Sequence, residues 1–183
     1  SRDKKVAMQQ LDESLRRLKT DYLDLWQIHE VVYEDDPDLH FAPNGATEAL
    51  LEAKQQGKVR FIGFTGHKHP QIHLKMLGHD FPFDACQMPL NVFDGTYRSF
   101  EREVLPILNQ RGIAALGMKS LSGNAEPIKQ GIVTPEEAIR YVLSLPIASL
   151  VSGIDSPQVL KQNLDIARHF TPMTVAEMDG LRT

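Results

Sequence analysis

A histidine at the end of an apolar run is the first residue in this sequence whose type and position could do chemistry. The run is Leu23–Ile28 and the histidine is His29. Imidazole donates or accepts a hydrogen bond near neutral pH, so at a strand end it can orient a polarised substrate bond. Four more apolar runs end in polar groups: Gly63-Phe-Thr-Gly-His67, Gln87 to Asn91, Gly117-Met-Lys-Ser-Leu121 and Ser152 to Ser156. Most of these ends also carry a glycine, which lets a ligand approach the backbone closely. In a parallel α/β protein, ligands bind at the C-terminal ends of strands. A strand-end histidine equally serves to satisfy a backbone group, and each polar end alone reads as a loop signal. Five in register weigh against that.

Two other groupings invite a chemical reading. His67, His69 and His73, with His79 nearby, are candidate metal ligands. Pro70 follows His69, so 69 and 73 are not expected on one helical face, and neither cysteine nor a supporting carboxylate pattern joins them. No metal site is expected, and His67 is placed near the substrate mouth. The acidic stretch Glu34–Asp38 is expected to be a solvated loop.

The elements that must position these residues alternate strictly. Strand-like runs occupy Leu23–Ile28, Val59–Phe64, Ala85–Leu90, Ile113–Met118 and Leu150–Ile154. Helical periodicity covers Val6–Lys19, Thr47–Gln56, Gln71–Leu77, Tyr97–Gln110, Pro135–Leu145 and Pro157–Phe170. Gly57 and Gly112 close helices as left-handed caps. Thr134-Pro-Glu-Glu137 and Thr174-Val-Ala-Glu177 carry capping-box spacing, Ser156-Pro157 opens another helix, and Pro106 is expected to kink its helix. Strand spacing of roughly 25 to 35 residues is that of βα units. Continuous apolar runs suit a parallel sheet covered on both faces.

No Gly-x-Gly-x-x-Gly follows a strand, which removes the dinucleotide fingerprint of open doubly wound sheets. A (β/α)₈ barrel typically needs ~250 residues. At 183 residues, beginning with a helix, the chain reads as one partial barrel domain of five βα units, a fragment lacking about three N-terminal units. The bulk figures exclude other classes. Twenty basic against 24 acidic residues, with no basic run, argue against nucleic-acid or anionic-membrane binding. Cys86 has no partner for a disulfide and sits in an apolar run. No apolar stretch reaches membrane-spanning length and the N-terminus is not a signal peptide, so a cytoplasmic setting is expected. The sheet edges at Leu23–Ile28 and Leu150–Ile154 would lie open in the isolated chain, which is therefore expected to self-associate.

The sequence resembles the central and C-terminal portion of an aldo/keto reductase. The likeness rests on Leu15-Arg-Arg-Leu-Lys-Thr-Asp-Tyr-Leu-Asp-Leu-Trp-Gln-Ile-His29, Gly57-Lys-Val-Arg-Phe-Ile-Gly-Phe-Thr65, the Gln87 strand, Gly117-Met-Lys-Ser-Leu121 and Gly153 through Asn163. It implies a (β/α)₈ barrel that reduces aldehydes or ketones, or oxidises alcohols, with NADP or NAD and without the dinucleotide fingerprint. His29 matches the catalytic histidine that orients the substrate carbonyl. Thr65 and Gln87 match residues holding the nicotinamide carboxamide, while Gly66 replaces an asparagine. Met118 stands where an aromatic ring often stacks on the nicotinamide, followed by Lys119 and Ser120 along the cofactor. Gly153 and Ser156 match the adenosine-phosphate segment, and Gln162 and Asn163 the adenine-binding pair.

The family's proton-donating tyrosine, with its lysine and aspartate, comes from N-terminal strands and has no match here. Tyr22, Tyr33, Tyr97 and Tyr141 are elsewhere, so the chain alone is expected to be inactive. The alternative is a binding or regulatory protein that uses the same scaffold without catalysis. The lysine and arginine that grip the 2′-phosphate of NADPH correspond to Gly153 and Val159, and Asp155 adds a negative charge. Lys161, Arg168 or the helix start at Ser156 could compensate. A weak preference for NADPH is expected.

Overall fold

The computed structural model describes residues 1–182. The chain divides into two compact units, Ser1–Gln87 and Met88–Thr183. In the first, α1 (Lys4–Leu18) begins at Asp3, whose carboxylate accepts from the Val6 N–H at 2.8 Å. It buries Ala7, Leu11 and Leu15, one stripe at four-residue spacing. There follow β1 (Leu23–Ile28), α2 (Asp36–Phe41), α3 (Ala46–Gln55), β2 (Val59–Thr65), α4 (Pro70–Leu77) and β3 (Ala85–Pro89), which runs across the unit boundary. Gly57, between α3 and β2, has the expected positive φ of 72°.

The parallel register of this unit decides where its chemistry lies. Gln27 is level with Gly63, Ile28 with Phe64, Gly63 with Ala85 and Thr65 with Gln87. Side chains alternate along a strand, and level residues of paired strands share a face. Ile28, Ile62, Phe64 and Cys86 therefore lie together, and all are buried. The opposite face carries Leu25 and Gln27, Phe61, Gly63 and Thr65, and Ala85 and Gln87. That face is not a second apolar core: Phe61 is 46% exposed. The strands read as apolar on both sides, and this face mixes Leu25, Phe61 and Ala85 with Gln27, Thr65 and Gln87.

The second unit contains α5 (Phe100–Glu103), α6 (Leu105–Arg111), β4 (Ala114–Met118), α7 (Glu126–Lys129), α8 (Pro135–Leu143), β5 (Ser149–Val151), α9 (Pro157–Arg168) and α10 (Val175–Arg182). β4 and β5 are parallel, with Gly117 level with Leu150. Leu90, just past β3, donates to the Met118 carbonyl at 3.0 Å. The capping boxes at Thr134 and Thr174 form with both hydrogen bonds in place. Gly112 caps α6 at φ 68°. The helix expected over Tyr97–Gln110 breaks at Val104, just before Pro106, because proline cannot donate within the helix. The last strand is shorter than expected and ends at Val151. Tyr141 on α8 donates to Glu101 at 2.7 Å and accepts from Arg182 at 2.6 Å, tying α5, α8 and α10 together.

The acidic stretch departs most from expectation. Asp36 begins α2 and is fully buried. Its carboxylate accepts from the Val32 and Tyr33 N–H groups at 2.7 and 2.8 Å and from Arg2 Nε at 2.6 Å. Burial alone would raise its pKa, but these donors outweigh burial and hold it below the usual carboxylate range. The loop after β1 is thus folded around one buried carboxylate. Among the described residues, no helix is long and apolar enough to cross a membrane.

Two buried histidines make the fold acid-sensitive. Burial lowers the pKa of His40 and of His73 to about 4 in each case. For His73 the bonding to the backbone of Gln87 and His69 only partly offsets burial. The unfolded chain binds these protons near pH 6.5, whereas the folded chain resists until about pH 4, so stability falls across that window. Each histidine is expected to remove on the order of 3 kcal/mol. Urea unfolding from pH 7 to 4 is expected to show the decline, with a shallower slope in His73→Leu; an identical slope in that variant would contradict it.

Candidate active site

His29 lies one residue beyond the level pair Ile28–Phe64, so it stands level with Thr65. The ladder continues past it: the Val31 N–H donates to the Thr65 carbonyl at 2.8 Å. Between them Glu30 adopts a left-handed conformation, φ 67°. That conformation is unfavourable for a residue with a side chain. Here it lets the chain leave the sheet within two residues, and His29 remains exposed at the strand end. The Glu30 carboxylate pairs with His67 Nε2. His67 is thus joined to the residue that follows His29.

A pocket of about 250 Å³ opens beside His29, lined also by Glu30, Tyr33, Asp36, His40 and Arg2. Its wall is the loop that Asp36 organises. The Tyr33 ring is half-exposed, with Arg2 and Lys68 cations 5.7 and 5.5 Å from its centroid. The other histidines have structural tasks. His69 caps α4 by accepting from the Gln71 N–H at 3.1 Å, and His73 is buried beneath Phe64. Among the described residues, no group of three or more His, Cys, Asp or Glu side chains could hold a metal ion.

Thr65 and Gln87 are brought together directly, as level residues on neighbouring strands. Thr65 is buried and Gln87 half-buried. The Gln87 side chain accepts from Gln27 Nε2 at 3.1 Å. Gly66 has a steric cause. A Cβ there would fall 2.3 Å from the Val31 carbonyl oxygen and 2.8 Å from the His73 ring. This backbone therefore has no room for the asparagine that the family resemblance places at Gly66.

In the second unit, Met118 ends β4, and Lys119 takes the left-handed conformation at φ 57°. Ser120 is buried. Ser156 caps α9, accepting from the Val159 N–H at 3.2 Å, and the space where a Cβ would stand at Gly153 is open. The Asn163 amide turns back on its own loop, donating to Ser152 Oγ at 3.0 Å and to the Gly153 carbonyl at 3.4 Å. It fixes the bend preceding α9 and is 8% exposed, while Gln162 is exposed.

Residues the sequence did not single out include Gln27, Asp36, His40 and Arg2. Alternation from His29 could have flagged Gln27, which is two residues earlier on the same face. Nothing in the local sequence pairs Arg2 with Asp36, thirty-four positions away.

Comparisons with known proteins show the family and the fold. The Aldo/keto reductase family profile matches residues 1–126. The oxidoreductase YqkF of Bacillus subtilis is 27% identical, over 85% of this chain and 58% of its own length. The aldo-keto reductase AFTS1 of Alternaria alternata is 31% identical, over 69% of this chain and 34% of its own length. The solved structure of aldo-keto reductase AKR11C1 from Bacillus halodurans, holo form, superposes with a TM-score of 0.77 at 21% identity. That superposition covers 98% of this chain and 67% of the other. The chain thus spans 58% of one curated relative and 34% of the other. A run of five βα units, with a strand-end histidine, sits on a barrel scaffold shared across these proteins. The chain belongs to the aldo/keto reductase family.

Proposed function

We propose that the protein carrying this chain reduces an aldehyde or ketone, or oxidises the corresponding alcohol, with NADP or NAD. One observation carries the reading: Thr65 and Gln87 are level on neighbouring parallel strands, and His29 directly follows the last residue of the adjoining strand β1. The residues present fit a nicotinamide cofactor. Thr65 and Gln87 place a hydroxyl and an amide side by side, a donor set suited to a primary carboxamide. In the second unit, the open backbone at Gly153 and the N-terminus of the twelve-residue α9 suit a phosphate.

When bound, the nicotinamide supplies or accepts the hydride. His29 donates a hydrogen bond to the carbonyl oxygen, where negative charge builds as the carbon is reduced. The Asp36-centred loop holds one wall of the pocket still, so the carbonyl meets His29 in a fixed pose. Thr65 and Gln87 would orient the carboxamide.

Three measurements test this reading. Replacing His29 with alanine is expected to lower kcat/KM by roughly 10²-fold, about 2.7 kcal/mol of transition-state stabilisation. Near-parental rates on several small carbonyl compounds would remove His29 from the mechanism.

Cofactor preference follows from α9. Lys161 is engaged with Asp165 at 2.5 Å. Arg168 is in the last turn of the helix, roughly 16 Å along the axis from its start. Neither replaces the cations that Gly153 and Val159 lack. Fluorescence titration of the full-length protein is expected to favour NADPH over NADH by less than about tenfold; a hundredfold advantage would contradict it.

Self-association of the isolated 183-residue chain belongs to the same reading. Val151 and Ile154, at and beyond β5, and Leu160 and Leu164 on α9 are all 41–53% exposed. Apolar surface next to a strand edge favours association. Light scattering is expected to detect oligomers; a monodisperse monomer with a sharp melt would refute this.

A further inference from the structure

His40, on α2, lines the pocket that opens beside His29, and its ring makes no hydrogen bond to the described residues. The residue is 3% exposed, and its Nδ1 is shielded from solvent. The backbone beneath the ring is pinned. Thr47 donates to the His40 carbonyl at 2.8 Å, and a Cβ at Gly45 would fall 2.2 Å from the same oxygen. Asp36 lies one helical turn earlier on the same helix. Its carboxylate accepts from Arg2 and from the Val32 and Tyr33 N–H groups, and not from the imidazole. The ring is therefore held in place at the pocket with its hydrogen-bonding capacity unused. A buried polar group without a partner is unfavourable and calls for one from outside the chain.

We propose that His40 binds a hydroxyl group of the substrate, which makes the substrates short, uncharged, hydroxylated aldehydes or ketones. The substrate class rests on the reading that His29 meets the carbonyl; the hydroxyl site itself does not. Burial keeps His40 neutral, its pKa lowered to about 4. A neutral imidazole offers one donor and one acceptor, and a hydroxyl offers the same pair, so the two match in either tautomer. A carboxylate ligand would instead meet Asp36 and Glu30 in the same pocket, with Arg2 already engaged by Asp36. The pocket volume of about 250 Å³ is that of roughly eight water molecules, room for a hydroxylated chain of about three or four carbons.

Glyceraldehyde and propanal share one three-carbon chain and differ only in their hydroxyls. Their kcat/KM values are measured with the full-length protein, His40→Leu and His40→Gln. Each aldehyde is compared with itself across the variants, which cancels its hydration in water. In His40→Leu the glyceraldehyde-to-propanal ratio is expected to fall about tenfold, the loss of one neutral hydrogen bond. His40→Gln keeps a donor and an acceptor and is expected to hold the ratio within about threefold. A merely structural role would lower both aldehydes alike, and an unchanged ratio in His40→Leu overturns the proposal. Binding is read separately, by imidazole proton–nitrogen NMR of the unaltered protein titrated with glycerol and with 1-propanol. The His40 signal, assigned by its loss in His40→Gln, is expected to shift saturably with glycerol and not with 1-propanol. No shift with glycerol overturns the hydroxyl site, whether or not His40→Leu folds. If neither aldehyde is turned over while glycerol shifts His40, the hydroxyl site stands and the carbonyl-reduction reading is what fails.

Discussion

The parallel register of β1, β2 and β3 is the constraint on which the rest of the candidate site depends. Shifting one strand by a single residue would exchange its two faces. Ile28, Ile62, Phe64 and Cys86 would leave the core, and Gln27, His29, Thr65 and Gln87 would enter it. Burial of the four apolar side chains, each nearly or wholly shielded, therefore fixes where the polar four must be. Hydrophobic packing on one side of the sheet sets the chemistry on the other. No separate interaction is needed to align His29 with Thr65 or Thr65 with Gln87.

Glycine and the buried carboxylate refine that frame. Gly63 lets β2 lie close against Ala85, and Gly66 lets the backbone pass within contact of Val31 and His73. Asp36 draws the loop after β1 into a fixed turn and anchors it to Arg2. This loop forms one wall of the pocket beside His29. Loop residues such as Tyr33 can change without disturbing the register beneath them.

Much of this was readable from the residues. Five apolar runs separated by helical periods foretold the βα units, and the capping residues Thr134, Ser156 and Gly112 marked helix ends because caps are local chemistry. The strand-end position of His29 was legible because a strand end is also local. The failures were non-local. Asp36 reads as solvated amid Glu34, Asp35 and Asp38, and its burial is made tolerable by the Val32 and Tyr33 N–H groups together with Arg2, thirty-four residues away. The polar face of β1 was hidden because Leu25 and Phe61 share it, so alternation looked like a continuous apolar run. The helix over Tyr97–Gln110 was drawn too long because periodicity persists through a break. Asn163 illustrates another limit: its place in the chain matched a ligand-binding position, while its amide holds the Ser152–Gly153 bend.

The central claim is that one face of the first three strands orients both the carbonyl and the carboxamide. A crystal structure of the full-length protein with NADP⁺ and a carbonyl-containing inhibitor tests it most directly. The account predicts an imidazole nitrogen of His29 within about 3 Å of the inhibitor's carbonyl oxygen, with the carboxamide on Thr65 and Gln87. A nicotinamide ring bound away from Thr65 and Gln87, with His29 out of hydrogen-bond reach of the carbonyl, would contradict it.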